Sequence, residues 1–283
     1  VLISLVSAKG APGTSTSALA LAVAWPRPVL LAECDPRGGD ILWGFGQGRD
    51  AGGRGLLGLQ VAARRQPMAA ALWSQVIELE AEDTWALPGV DEPRHSGTVE
   101  WSSLARALAS LKDVDVIADC GAVPAAKPPT ALLSSSDLVT LVTRATLRST
   151  HATQGVTGLL RSDLMNSGLG ADRLVSIVVG PGHPYPLADV TAALSGTAPV
   201  LGSLPWDPTA AEVLSEGAPA GRKFPRSALM KGALELAAVL GGKALDFREE
   251  AGWAARADQH ASQLRTLSGE QAVVSGVNGG GAR

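Results

Sequence analysis

Three groups of residues in this chain have types and spacings that could do chemistry. The first is the run Lys9, Gly10, Ala11, Pro12, Gly13, Thr14, Ser15 and Thr16, which follows an apolar stretch at 2–6 and leads into the Ala/Leu-rich stretch 15–24. A strand, a glycine-containing turn and a helix that opens on hydroxyl residues form the context in which successive backbone N–H groups face one anion. The positive end of the helix dipole would add to that attraction, and Ser15 or Thr16 could place a hydroxyl on a magnesium ion. The second group is a pair of aspartates, Asp35 and Asp119, each just past an apolar run (29–32 and 114–118), with Asp40 as a further carboxylate after the first. The third is Pro205, Trp206 and Asp207, which follow the apolar run 200–204. Each also has a plain structural reading. Glycine makes turns, Asp-Pro and Gly-Gly are turn formers, and an aspartate at the start of a helix caps it.

The elements that must position these residues follow from hydrophobic patterning. Short runs rich in Val, Ile and Leu at 2–6, 29–32, 84–87, 114–118, 138–142, 174–179 and 200–204 predict fully buried parallel strands. Helical stretches at 15–24, 57–63, 101–111, 147–161, 187–194, 210–216 and 226–240 alternate with them. The alternation predicts an α/β fold, a doubly wound and mostly parallel sheet with helices on both faces. Ligands in such folds bind at the carboxyl ends of the strands. Glycine-rich stretches at 44–58 and 88–97 read as surface loops. The character changes after Gly242, so the domain is expected over 1–242. It is followed at 243–283 by a charged C-terminal helix (247–267) and a disordered Gly-rich end.

Composition narrows the function classes. The 283 residues carry 24 Lys plus Arg against 27 Asp plus Glu, a net charge of −3. Bulk charge therefore does not favour wrapping nucleic acid. Two cysteines, Cys34 and Cys120, are too few for a disulfide framework and read as buried thiols. The four histidines show no ligand spacing. No apolar stretch approaches the roughly 20 residues of a membrane span, and the opening six-residue apolar run has no features of a signal peptide. A cytoplasmic protein is the expectation. Arg144, Arg148 and Arg161 read first as a solvated helix face, with contact to a partner, a phosphate or a DNA backbone as the alternative, and Trp43 and Phe45 as either partner-facing or core residues.

The run Lys9–Thr16 has the spacing of the variant phosphate loop K-G-G-x-G-K-S/T-S/T and resembles that of the MinD/ParA family of P-loop ATPases. Thr14 stands where that family has its second lysine. The segment AECDPRGGD resembles the family's D-x-D-P-x-G, with Asp35 on the second aspartate and Glu33 in place of the first. DVDVIADCG resembles its Walker B strand. The stretch from LGSLPWDP through EGAP to the last helix resembles its C-terminal part. The overall look is similar to the branch encoded with Tad-type pilus or secretion machinery in high-GC bacteria. The resemblance implies ATP and Mg2+ as cofactors, with Lys9 reaching the partner's phosphates across a nucleotide-sandwiched homodimer. It also implies that Asp35 orients the attacking water, that Ser15 and Asp119 hold magnesium, and that Pro205 and Asp207 line the base. Gly180 stands where relatives commonly have an adenine-binding asparagine.

The expectation is an ATP-binding, nucleotide-switched positioning or assembly protein, at best a weak ATPase because Thr14 supplies no charge. Its partner would be a protein such as a pilus or secretion component, recruiting it to a membrane-associated complex. The alternative is a P-loop scaffold that acts only through protein contacts. A metabolic enzyme of the same superfamily lacks its expected substrate domain or cysteine cluster. A dinucleotide-binding oxidoreductase lacks G-x-G-x-x-G.

Overall fold

The computed structural model describes residues 1–9, 13–123, 129–168 and 170–275, the side chains as far as residue 252. Chain order is β1 (Leu2–Ser7), α1 (Thr14–Val23), β2 (Val29–Glu33), α2 (Leu56–Ala62), α3 (Met68–Ala71), β3 (Ile77–Glu78), β4 (Thr84–Leu87), α4 (Trp101–Ala109) and β5 (Asp115–Ala122). It continues with α5 (Thr130–Leu133), β6 (Leu138–Arg144), α6 (Leu147–Asn166), β7 (Leu174–Val179), α7 (Leu187–Leu194), β8 (Val200–Leu204), α8 (Pro208–Ser215) and α9 (Ala228–Ser275).

The strands form one eight-stranded sheet in the order β3-β4-β2-β5-β1-β6-β7-β8, parallel except where β3 runs against β4. The expected doubly wound α/β architecture is what the chain adopts. The apolar runs work as strands because alternate side chains enter opposite layers. Ile3, Leu5, Leu31 and Ile117 pack under α1, α8 and α9, while Leu2, Val6, Leu30 and Val116 pack under α2, α4 and α6. The edge strand β3 was not legible in the sequence, because two residues carry no period.

Two helices run further than the sequence pattern implies. The expected helix 147–161 continues to Asn166, because Leu160 and Leu164, one turn apart, both bury against the sheet. The expected helices 226–240 and 247–267 are one helix, α9, and Gly241 and Gly242 do not interrupt it. Leu240, Ala244 and Phe247 are buried along one face across that point. Beyond them the Arg248 guanidinium grips the buried Asp137 carboxylate, which also accepts the Leu2 N–H at 2.7 Å.

The chain passes from β1 through α1 to β2 on one side of β1, with β5 between them, while β6, β7 and β8 extend on the other. The connection leaving β1 therefore runs to one side of the sheet and that leaving β5 to the other, and a crevice opens at the carboxyl ends of these strands.

Removing the Arg248 clamp should leave Asp137 underpaired. Arg248→Ala is expected to cost about 1.5–3 kcal/mol in urea unfolding, the range for hydrogen bonds to charged groups. An unchanged midpoint would show that α9 is held by its apolar face alone.

Candidate functional site

At the crevice, α1 begins directly after Gly13, which adopts a left-handed conformation with φ 93°. The first helical bond runs from Ser17 N–H to Gly13 O at 2.8 Å. That leaves the N–H groups of Thr14, Ser15 and Thr16 without helical acceptors, at the positive end of the dipole. Thr14 is buried, and its hydroxyl has no hydrogen-bond partner among the described residues. The Ser15 hydroxyl lies close enough to the carboxyl of Asp119 to favour its charged form.

Asp119 ends the apolar part of β5 and is buried. It accepts the Gly121 N–H at 3.1 Å, and its desolvation pushes its pKa up to about 6 against the pull of Ser15 and that N–H. Across the sheet Glu33 is its register partner on β2. Glu33 is also buried, and it accepts Ile41 N–H at 2.8 Å and Gly89 N–H at 3.1 Å. Burial pushes it up to about 7, with the Asp119 charge adding to the rise. Glu33 thus pins the loop after β2 to the loop after β4.

Asp35 lies next to both. A Cβ on Gly121, whose φ is +67°, would fall on the Asp35 carboxylate, so only glycine fits there. Asp35 accepts the Arg37 backbone N–H at 2.8 Å and forms an ion pair with the Arg37 guanidinium at 2.6 Å. Cys34 and Cys120, between these acids, are buried and not disulfide-bonded. Burial pushes both thiols up, away from the reactive thiolate.

A second part of the site lies on the other side of α1. A cavity of about 190 Å3 is lined by Gly13, Thr16, Arg144, Pro205, Trp206 and Asp207 among others. The Arg144 guanidinium stacks over the Trp206 ring at 4.1 Å. A Cβ at Gly180 would meet that ring at 3.2 Å. Asp207 caps α8 through Ala210 N–H at 3.1 Å and takes Leu229 N–H from α9 at 3.4 Å. A third hollow, about 390 Å3, adjoins Ser15, Thr16 and Asp40 and is flanked by Trp43, which is 73 % exposed. A larger cavity of about 830 Å3 lies between α2 and α4 and shares no residue with this cluster, so size does not point to the site.

No family model and no curated protein matches the chain. Solved structures do. MinD from Pyrococcus horikoshii, complexed with Mg-ADP, is 26 % identical with a TM-score of 0.65, over 83 % of this chain and 93 % of that one. The cell division ATPase MinD of Pyrococcus furiosus is 25 % identical with a TM-score of 0.67, over 85 % and 98 %. A ParA family ATPase from Chlorobium tepidum is 20 % identical with a TM-score of 0.63, over 83 % and 98 %. The fold is that of the MinD/ParA P-loop ATPases.

In this MinD/ParA-type fold, Ser15, Asp119 and Asp35 come together, with Thr14 and Thr16 in the same helical turn. Pro205 and Asp207 lie on the far side of that turn, 170 or more positions away in sequence. Lys9 is exposed and makes no ion pair among the described residues. Gly10, Ala11 and Pro12 lie outside the described residues. Sequence reasoning placed Arg144 on a solvated helix face. Instead it ends β6 and walls the Trp206 cavity. It also gave Arg37 no role and missed Glu33 as the tie between two loops. An Asp-x-Arg turn is the one local signal for Arg37. Glu33 reads as a site residue only once β2 and β5 are paired.

These buried acids set a pH dependence. A carboxyl whose folded pKa is raised keeps its proton where the unfolded chain has lost it, so it stabilises at low pH, and the gain fades as pH rises through the folded value. For Asp119 and Glu33 the loss runs from the ordinary carboxylate range to about 6 and about 7. The urea midpoint should therefore fall between about pH 4 and about pH 7, and Asp119→Asn should flatten the lower part of that fall. A flat or rising midpoint would mean that both acids ionise freely.

Proposed function

We propose that the chain is an ATP-binding, nucleotide-switched protein of MinD/ParA type that dimerises around bound nucleotide and hydrolyses it slowly or not at all. The observation that carries this reading is the convergence of Ser15, Asp119 and Asp35 on the amide-rich first turn of α1. The donor set fits the implied cofactors. The buried, unpartnered Thr14 hydroxyl and the free N–H groups suit phosphate oxygens. A hydroxyl beside a carboxylate suits a hard cation such as Mg2+. Ser15 and Asp119 would hold that ion, which would neutralise phosphate charge. The likeness to a MinD complexed with Mg-ADP supports the assignment.

The other residues take their roles from this placement. Pro205, Trp206 and Asp207 would line the base, the last as the cap that fixes the wall. Asp35 would orient water. Exposed Lys9 would meet the partner's phosphates in the homodimer. Thr14 contributes a hydroxyl and no charge, which argues for slow turnover. The exposed Trp43 beside the site offers an anchor for a protein partner, such as a pilus or secretion component at a membrane-associated complex. Among the described residues no helix is long and apolar enough to cross a membrane.

A second reading, a scaffold without nucleotide, draws on Thr14 and on the Arg37 ion pair that already engages Asp35. Titration with Mg-ATP by calorimetry, with size-exclusion alongside, separates the two. Binding at micromolar ATP with a shift to dimer is expected. No binding at millimolar ATP would leave the scaffold. Asp35→Ala should keep binding and lose hydrolysis. Lys9→Ala should keep the fold but weaken the ATP dimer, and an unchanged dimer would remove Lys9 from the interface. Because Asp119 must ionise to meet the metal, Mg-ATP binding should strengthen from about pH 5 to about pH 7, and a flat profile would remove Asp119 from the metal site.

A further inference from the structure

We propose that Arg37 is the cation that meets the terminal phosphate within the same subunit, and that its ion pair with Asp35 is the contact it leaves to do so. This rests on the nucleotide-switch reading above.

The need for a cation is electrostatic. Nothing from Gly13 to Thr16 is charged, whereas the cluster around the first turn of α1 already contains Asp35 and Asp119. A polyphosphate brings several further negative charges, of which one Mg2+ at Ser15 and Asp119 would offset only part within the subunit. Two described cations flank that turn: Arg144, which is stacked over Trp206 in the cavity on one side, and Arg37 on the side of the acids. Arg37 touches Asp35, Asp35 packs against Gly121, the Gly121 N–H bonds Asp119, and Asp119 neighbours Ser15. The carboxylates of Asp35, Asp119 and Asp40 all act on the guanidinium.

The geometry also suits an exchange. The Arg37 side chain is 60 % exposed and bonds only Asp35, through Nε and one terminal nitrogen, among the described residues. Its remaining terminal nitrogen is free there. A guanidinium fork fits a phosphate as it fits a carboxylate, so the same two donors can pass from one to the other. Asp35 would not be set adrift by the transfer. It keeps the Arg37 backbone N–H at 2.8 Å and its packing against Gly121. The ion pair therefore holds Asp35 engaged, and an arriving phosphate would free its carboxylate oxygens.

The test uses the full chain and the affinities of Mg-ATP and Mg-ADP for wild type, Arg37→Ala, Arg37→Lys and Asp35→Ala. Arg37→Ala should weaken ATP at least about tenfold, the size of one charge-assisted hydrogen bond, and change ADP less than about twofold. Arg37→Lys should restore part of the loss, because it returns the charge without the fork. Asp35→Ala should tighten ATP by releasing the guanidinium. Equal loss of ATP and ADP in Arg37→Ala would mark a merely structural role and overturn the proposal. So would ATP binding unchanged from a wild type that binds well, and in that case the switch reading would stand. A wild type that binds neither nucleotide would overturn both.

Discussion

The parallel register of β2 on β5 sets Glu33 opposite Asp119 inside the fold, and much of the site answers to the cost of burying these two carboxyls. Two carboxyl groups buried side by side cannot both ionise cheaply. The fold meets this by spending backbone N–H groups on them: Ile41 and Gly89 on Glu33, and Gly121 on Asp119. Two of those donors come from the loops after β2 and β4, so satisfying Glu33 also ties these loops together into one rim, while Gly121 serves Asp119 from the end of β5 itself. A glycine at 121 is part of the same solution. It lets the end of β5 turn with positive φ while Asp35 packs directly over it.

The other wall of the crevice is built by a different logic. Asp207 has its two oxygens on the starts of α8 and α9, so one side chain fixes the direction of both helices. Pro205 and Trp206 are held between β8 and those helices. Trp206 is braced by Arg144 from the end of β6. The wall is therefore positioned by capping and stacking, and the rim by buried charge. The first turn of α1 stands between them and contributes to both.

Distant anchoring supports this arrangement. At the opposite end of the sheet, Asp137 draws together the first residues of β1 and the middle of α9. Alongside, Arg173 is buried against Phe247 and donates to its carbonyl at 3.2 Å. The helix that presses on β8 is thus clamped at Phe247 and Arg248 as well as at its start by Asp207.

Much was determined by the sequence alone. Apolar runs of buried strands and the alternating helices specify a parallel, doubly wound sheet, because period and length are local properties. The turn before α1 and the aspartates at strand ends are legible for the same reason, since residue type and spacing along the chain suffice. Other features exist only once strands are paired. Glu33 becomes a buried hub because β2 lies against β5. Arg144 walls a cavity because β8 brings Trp206 beside β6. The two C-terminal helices merge because buried Leu240, Ala244 and Phe247 outweigh the helix-weakening glycines between them. Contacts between residues far apart in the chain leave no period to read, and they decided which of the chemically capable residues meet.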